Sequence, residues 1–485
     1  MRLYEVLLMG SNLVLLVVLL FMRNRKISLG AGLAAVCALS LHLIQEGYRW
    51  QMVPSYFAAV ILFILVAIRI YRNPKSVKPR KKIRYIGYFI VAVLLSFSVF
   101  LAQAMPILVL PKPGGEAAVG TRIFHFTDFT RQESYPNVPK NDRELMVRVW
   151  YPAKPQSGKG ELLFPEDPAQ FRTYKENFSG VFKVPAFILD YWKYTRGYSH
   201  LNAELLPASA PSPVVLISHG MGTGSVLHVS QAENLASHGF IVAAIDHTYS
   251  TAATLFPDGR ITGFETKTPA DDFYTYAKQV GAVWAADIQF VLSEMEQLNQ
   301  DPNSSLKGMM DVTHTGIMGH SFGGATSFNA TYSNDKIKAG IDMDGTLYDL
   351  EDKGPMPKPF MFLNSDQRSM LSAAIKNNEV PGSIRAQLVK EQRMMDSVGA
   401  HNGQVIHIRG TDHFNFTDLQ FYTPMLKYTG MTGSINGYRG ADIVNSYVLD
   451  FFTKHLKKKG GQLLDNGPHP QYPEVEFQKA TLAAE

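Results

Sequence analysis

Apolar residues crowd into four long runs at the front of the chain, roughly 4 to 22, 28 to 45, 53 to 70 and 85 to 104. Each comes close to the ~20 residues a helix needs to cross a bilayer core, so the pattern predicts four transmembrane helices. The third and fourth runs are the most uniform. The second carries Gly30, Gly32, Ser40 and His42, which also suits a packed or partly re-entrant segment. Pro106, Pro111 and Pro113 then break the pattern, because proline lacks the amide hydrogen a helix needs. Beyond residue 112 the period changes. Short β-rich runs at Val214 to Ile217, Phe240 to Ile245, Gly316 to Met318, Ala339 to Met343, Pro359 to Leu363 and Val405 to Ile408 alternate with helical patterns. These patterns cover 229 to 238, 277 to 298, 322 to 332 and 383 to 398, and a stripe from Ile443 to Phe452 follows. Alternation of this kind predicts a mostly parallel sheet with helices on both faces. Two earlier runs, Ile123 to Phe126 and Leu145 to Tyr151, extend one sheet edge. The expected organisation is a helical membrane region over 1 to 111, an α/β domain over 112 to 460 and a loosely ordered tail over 461 to 485.

Charge follows the same division. Residues 1 to 111 hold thirteen Lys and Arg against Glu5 and Glu46, whereas the remainder holds thirty-four bases and forty acids, so the net +5 is +11 in front and −6 behind. The front surplus lies in short tracts between apolar runs: Arg23, Arg25 and Lys26, then Arg72, Lys75, Lys78, Arg80, Lys81, Lys82 and Arg84. Cytoplasmic loops collect such charge, which predicts a multi-pass cell-membrane protein with both ends of the bundle, and the α/β domain, on the outer side. Nothing in the pattern points to nucleic acid. A cleaved leader over 1 to 22 fits less well, because its basic cluster follows the apolar run; Ala102-Gln103-Ala104 is a second, weaker cleavage candidate. The one cysteine, Cys37, lies inside an apolar run, so no disulfide framework, cysteine metal site or cysteine nucleophile is expected.

Gly319-His320-Ser321-Phe322-Gly323 fits G-x-S-x-G between a predicted strand and a helical run, the context that pushes a serine hydroxyl out of a sheet as a nucleophile. The amide of Phe322 would then head a helix and face a developing oxyanion. Ser218-His219-Gly220-Met221-Gly222 follows an earlier strand, and its Met221 amide is the second candidate donor. A serine needs an imidazole to take its proton, and in this fold it comes from a late loop. His413 in Gly410-Thr411-Asp412-His413-Phe414-Asn415 stands there, whereas His42, His314, His401 and His407 lie in other settings, and the side chain of His320 should turn away. The orienting acid falls between 321 and 413, and both Asp344 and Asp366 follow predicted strands. Asp342 faces away if Asp344 faces the site.

The run from about Pro111 to Phe416 resembles the platelet-activating-factor acetylhydrolase family of single-chain α/β-hydrolases. The matching stretches are Val119-Gly120-Thr121, Arg143 to Val147 through Trp150-Tyr151-Pro152, Ser218-His219-Gly220, Leu235 to Ala244, Gly319 to Thr326, Asp344 and His413 to Phe416. The resemblance implies a serine hydrolase without metal or cofactor, acting on short or oxidised acyl esters, notably at the sn-2 position of phospholipids. It also implies Asp344 as the acid, leaving Ser321, Asp344 and His413 as the catalytic set. The four-span front region departs from the family pattern. Ten aromatics between 161 and 200, from Phe164 to Tyr198, read either as an acyl-binding or lipid-facing wall or as the core of a small cap. The expected partners are a small-molecule or lipid ester and the membrane. A broader lipase or polyesterase, an acyltransferase and a non-catalytic ligand-binding module are the alternatives.

Overall fold

The computed structural model describes residues 1–71, 81–207, 209–266, 272–351, 353–401 and 403–479. Two compact units result: Met1–Leu108 with Asp190–Trp192 and Tyr422–Pro424, and Val109–Leu189 with Lys193–Phe421 and Met425–Glu485. In the first, α1 (Leu3–Phe21), α2 (Arg25–Gln45), α3 (Val53–Tyr71) and α4 (Lys81–Ala104) pack in sequence order. All four are long and apolar enough to cross a membrane. The weakest run is a continuous helix, begun by Asn24, whose side chain accepts the amides of Lys26 and Ile27 at 2.9 and 3.3 Å. Its small residues serve packing, since Gly32 lies in van der Waals reach of Val66. Leu15, Leu62, Val66, Val91 and Leu95 fill the interior of the bundle, while Val14, Phe57, Phe89 and Phe97 stay exposed on its outside. Of the basic tract expected between the third and fourth spans, Arg72, Lys75, Lys78 and Arg80 lie outside the described residues.

The second unit carries the strands β1 (Ala118–Gln132), β2 (Asp142–Ala153), β3 (His200–Leu201), β4 (Ser212–Ser218), β5 (Ile241–Asp246), β6 (Ala253–Leu255), β7 (Ile261–Gly263), β8 (Met310–His320), β9 (Ile337–Met343), β10 (Phe360–Asn364), β11 (Gln404–Ile408) and β12 (Val475–Phe477). Its helices are α5 (Pro168–Phe182), α6 (Val229–Ser237), α7 (Phe273–Gln300), α8 (Phe322–Ser333), α9 (Asp366–Lys376), α10 (Gly382–His401), α11 (Gly437–Lys457) and α12 (Gln462–Asp465). Ten strands form one sheet in the order β12-β11-β10-β9-β8-β4-β5-β2-β1-β3. The six from β11 to β5 are parallel, and β2 and β12 flank them antiparallel. Their burial on both faces explains why they read as continuous apolar runs. α6 and α11 pack together on one side of the sheet and α7 and α8 on the other, as in the α/β-hydrolase fold. From β4 the chain moves toward β5, and from β8 it moves toward β9. The loops after these adjacent strands therefore part in opposite directions, the topological switch at which such sheets form a crevice.

Residues expected as a loose tail are partly built into the sheet, which corrects that expectation. Val475-Glu476-Phe477 is too short to register as a strand by itself, and the open edge of β11 orders it by pairing. The aromatic insertion is largely packed: Phe164, Phe171, Tyr174 and Phe178 are buried, with Tyr174 stacked on Phe178 at 5.2 Å.

A buried ionic knot joins β2, α7 and the chain after β1 and β5. Arg143 Nε and Nη2 meet both oxygens of Asp287 at 3.1 and 2.7 Å, and Arg143 Nη1 meets Glu133 at 2.6 Å. Asp287 also accepts from His247 Nδ1 at 2.9 Å and pairs with Arg131 at 3.0 Å. Burial pushes the Asp287 carboxyl up, but Arg143 and His247 outweigh it and hold the group well below the usual carboxylate range. A carboxyl depressed in this way adds stability above its unfolded pKa and loses it as pH falls through the folded value. Removing one partner of such a knot strands the others, so Asp287→Ala should lower unfolding stability at neutral pH by about 3–5 kcal/mol in a urea titration. The deficit should shrink below about pH 4. A loss under about 1 kcal/mol at neutral pH would contradict this account.

Candidate active site

β8 ends at His320 and α8 begins at Phe322, which leaves Ser321 alone in the turn at φ 56° and ψ −123°. A positive φ is costly for a residue with a Cβ, and the surroundings enforce it here. The Ser321 amide donates to Met343 O at 2.9 Å, and its carbonyl accepts the amides of Gly324 and Ala325 at 2.9 and 3.1 Å. Any side chain at Gly323 would collide with the carbonyls of Ser218 and His219, so the turn is pressed against the end of β4.

The structure brings together the side chains singled out in the sequence. Ser321 Oγ lies 3.0 Å from His413 Nε2, and His413 Nδ1 lies 2.7 Å from Asp344 Oδ2. Asp344 Oδ1 accepts the amide of Ser365 at 2.8 Å. Burial pushes the Asp344 carboxyl up, yet the hydrogen bond and charge of His413, with the Ser365 amide, hold it below the usual carboxylate range. It is therefore ionised at neutral pH and fixes the His413 proton on Nδ1, leaving Nε2 as an acceptor for the serine hydroxyl. The His413 side chain is 32% exposed and that of Asp344 only 7%, so the imidazole faces the crevice and the acid lies behind it.

Asp366 takes another partner. Its Oδ1 lies 2.7 Å from His407 Nε2, and its Oδ2 accepts the amide of Gly410 at 3.0 Å. Asp342 is fully buried, accepts the Gly345 amide at 2.8 Å, and has its carboxyl pushed far up by burial. His320 turns inward, and its Nε2 donates to the carbonyl of His413 at 2.9 Å.

Phe322 heads α8, where the first amides have no preceding helical turn to bond. Its ring packs against Trp284 and Tyr348, with centroids 4.9 and 5.0 Å away. The loop carrying Met221 closes the other side: a Cβ on Gly220 would stand 2.8 Å from His320 Nδ1 and 3.3 Å from Ser321 Cβ. Gly220 from one loop of the topological switch and Phe322 from the other thus border the serine. Among the described residues no group of three or more His, Cys, Asp or Glu could hold a metal ion. The chemistry this arrangement supports is nucleophilic attack by a serine with an imidazole as base.

Sequence reading missed the layer under these loops, where His219, His247, Trp284, Asp287 and Arg143 are buried together. One signal was available: Asp287 stands on the buried stripe of α7 with Val280, Trp284 and Val291, where an acid needs a partner.

Residues 108–266 and 288–468 match the family described as platelet-activating factor acetylhydrolase, isoform II. Similar proteins include the platelet-activating factor acetylhydrolase of Cavia porcellus, 24% identical over 72% of this chain and 78% of the relative. That of Canis lupus familiaris is 26% identical over 72% and 77%. A probable 1-alkyl-2-acetylglycerophosphocholine esterase of Arthroderma benhamiae is 24% identical over 78% and 96%. Among solved structures, a ferulic acid esterase from Streptomyces cinnamoneus superposes with a TM-score of 0.60 at 26% identity, covering 76% of this chain and 99% of the esterase.

The two aspartates make a direct contrast. An amide at the residue that orients His413 would favour the wrong tautomer, a loss of about 10⁴ in turnover in the best-studied serine triad. Asp344→Asn should therefore fall by several orders of magnitude in kcat on a short ester, and Asp366→Asn by roughly tenfold or less, since Asp366 serves His407 and a turn amide. The opposite ranking at equal folded yield would move the acid to Asp366.

Proposed function

The chain belongs to the platelet-activating factor acetylhydrolase, isoform II, family and with it to the carboxylic ester hydrolases, and on that premise we propose that it is a membrane-anchored serine esterase with Ser321 as nucleophile. The observation that carries this reading is the hydrogen-bonded series from Asp344 through His413 to Ser321. Ser321 Oγ attacks the acyl carbonyl as His413 Nε2 takes its proton. The amides of Phe322 and Met221 hold the oxyanion of the tetrahedral intermediate, and Asp344 stabilises the imidazolium. Collapse expels the alcohol, which receives the proton from His413 and leaves an acyl-serine. Water, deprotonated by the same imidazole, releases the acid and restores the serine.

The substrates in this reading are esters with short or oxidised acyl chains, including sn-2 acyl groups of phospholipids. Support comes from the names of the relatives, platelet-activating factor acetylhydrolase and 1-alkyl-2-acetylglycerophosphocholine esterase. The four apolar helices anchor the enzyme in its substrate's phase, and the basic tract between the third and fourth keeps that loop cytoplasmic, with the esterase domain outside.

Ser321→Ala should abolish hydrolysis of an activated short ester, leave the fold intact, and remove covalent labelling by a fluorophosphonate. Activity within tenfold of wild type would overturn the mechanism, and a folded wild-type protein that takes no label would favour a ligand-binding module. Topology has its own test. A reporter active only outside the cytoplasm should be active when fused after residue 111 and silent when fused near residue 78; the reverse pattern would place the esterase in the cytoplasm.

A further inference from the structure

We propose that His219 is a positioning residue: its ring, together with Thr223, clamps the carbonyl of Gly220 so that the Met221 amide of the same peptide is aimed at Ser321. This rests on the reading of Ser321 as nucleophile and concerns how one of its oxyanion donors is held.

Three donors converge on Gly220 O: His219 Nδ1 at 2.7 Å, Thr223 Oγ1 at 2.6 Å and the Thr223 amide at 3.0 Å. The Gly220–Met221 peptide is trans, so its N–H points opposite to its carbonyl. Gly220 lies against His320 and Ser321. Fixing the carbonyl on the His219 side therefore fixes the direction of the Met221 N–H, and the site pays no reorganisation energy when charge develops on the oxygen.

The tautomer of His219 is determined by its other nitrogen. Nε2 accepts the amide hydrogen of His247 at 3.1 Å, so the ring proton must sit on Nδ1, facing Gly220 O. Burial, with His247 adjacent, holds the His219 imidazole well below the usual histidine value, so the ring stays neutral and keeps this one tautomer. His247 is itself held in place. Its Nδ1 lies 2.9 Å from Asp287 and its Nε2 3.0 Å from Ser218 Oγ, and its ring stacks on Trp284 at 4.0 Å and 11°. The same indole meets the Phe322 ring edge-on at 4.9 Å. Supports for both oxyanion amides thus converge on Trp284, and the ionic knot under His247 sets the height of the loop.

The test uses the full-length protein in detergent. His219→Leu removes the donor and keeps the bulk, while His219→Asn returns an N–H near the Nδ1 position. Expected for His219→Leu is a fall in kcat of about 10- to 100-fold, less than the ~10²–10³ for losing an oxyanion donor outright, with KM changed by less than about threefold. A trifluoromethyl ketone, whose hemiketal oxygen occupies the oxyanion position, should lose affinity by a similar factor. His219→Asn should recover most of both. Thr223→Val and Thr223→Ser repeat the design on the second donor and decide the matter if His219→Leu does not fold. Unchanged kcat in the folded Leu or Val variant would overturn the proposal. So would a loss of kcat without a parallel loss of ketone affinity, since that marks general disruption. If Ser321→Ala remains active, it is the underlying nucleophile assignment that fails; if Ser321→Ala is inactive and the clamp variants behave as wild type, only the clamp fails.

Discussion

The backbone turn at Ser321 is the constraint on which the rest of the site depends. A residue with a Cβ is held at φ 56° between the end of β8 and the start of α8, and only tight packing keeps it there. The glycines on both sides let the turn close against the ends of β4 and β9, as the close approach of Gly323 to Ser218 and His219 and of Gly324 to Asp342 shows. From that closure follow the exposure of the hydroxyl, the alignment of α8 with its first amides toward the crevice, and the proximity of the loop bearing Met221. Asp344 and His413 come from the ends of β9 and β11, and the parallel register of the sheet brings those strand ends to the same edge.

Beneath the turn, the domain spends buried polar groups on holding loops in place. Arg143, Asp287 and Glu133 would be expensive in a dry interior if any one were unpaired, and each is met by an opposite charge. The histidines above them are neutral by burial, which suits them to directional hydrogen bonding. Asp418 plays a comparable part for the loop of His413: it accepts the amide of Ser230 at 3.0 Å and the Ser230 hydroxyl, tying that loop to the first turn of α6. Burial raises its carboxyl to about 7, so this tie changes charge near neutrality.

Much of this was legible in the sequence where local pattern and tertiary role coincide. β4, β5, β8, β9, β10 and β11 are buried on both faces and read as unbroken apolar runs, and Ser321 sits where such a run meets a helical one. α9 was not foreseen, because its buried face is Arg368, Ser372 and Ile375, which leaves no apolar periodicity to detect. β12 was missed because three residues carry no period, and its order comes from the partner edge of β11. The choice between Asp344 and Asp366 could not be made from spacing, since both follow strands. It depends on which histidine each reaches across the sheet edge: His413 lies 2.7 Å from Asp344, and His407 lies 2.7 Å from Asp366. The clamp on Gly220 is backed by His247 after β5 and by Trp284 and Asp287 of α7, and no local rule relates those stretches to the loop after β4.

The central claim is that Ser321 carries the acyl group between two half-reactions. The most direct measurement is rapid acid quench of the full-length protein during turnover of an activated acetyl ester, followed by peptide mass mapping. The account predicts acetylation on the peptide containing Ser321, formed in a burst and cleared once the ester is exhausted. Turnover at the full rate with no acyl group on that peptide, or with the group on another residue, would contradict it.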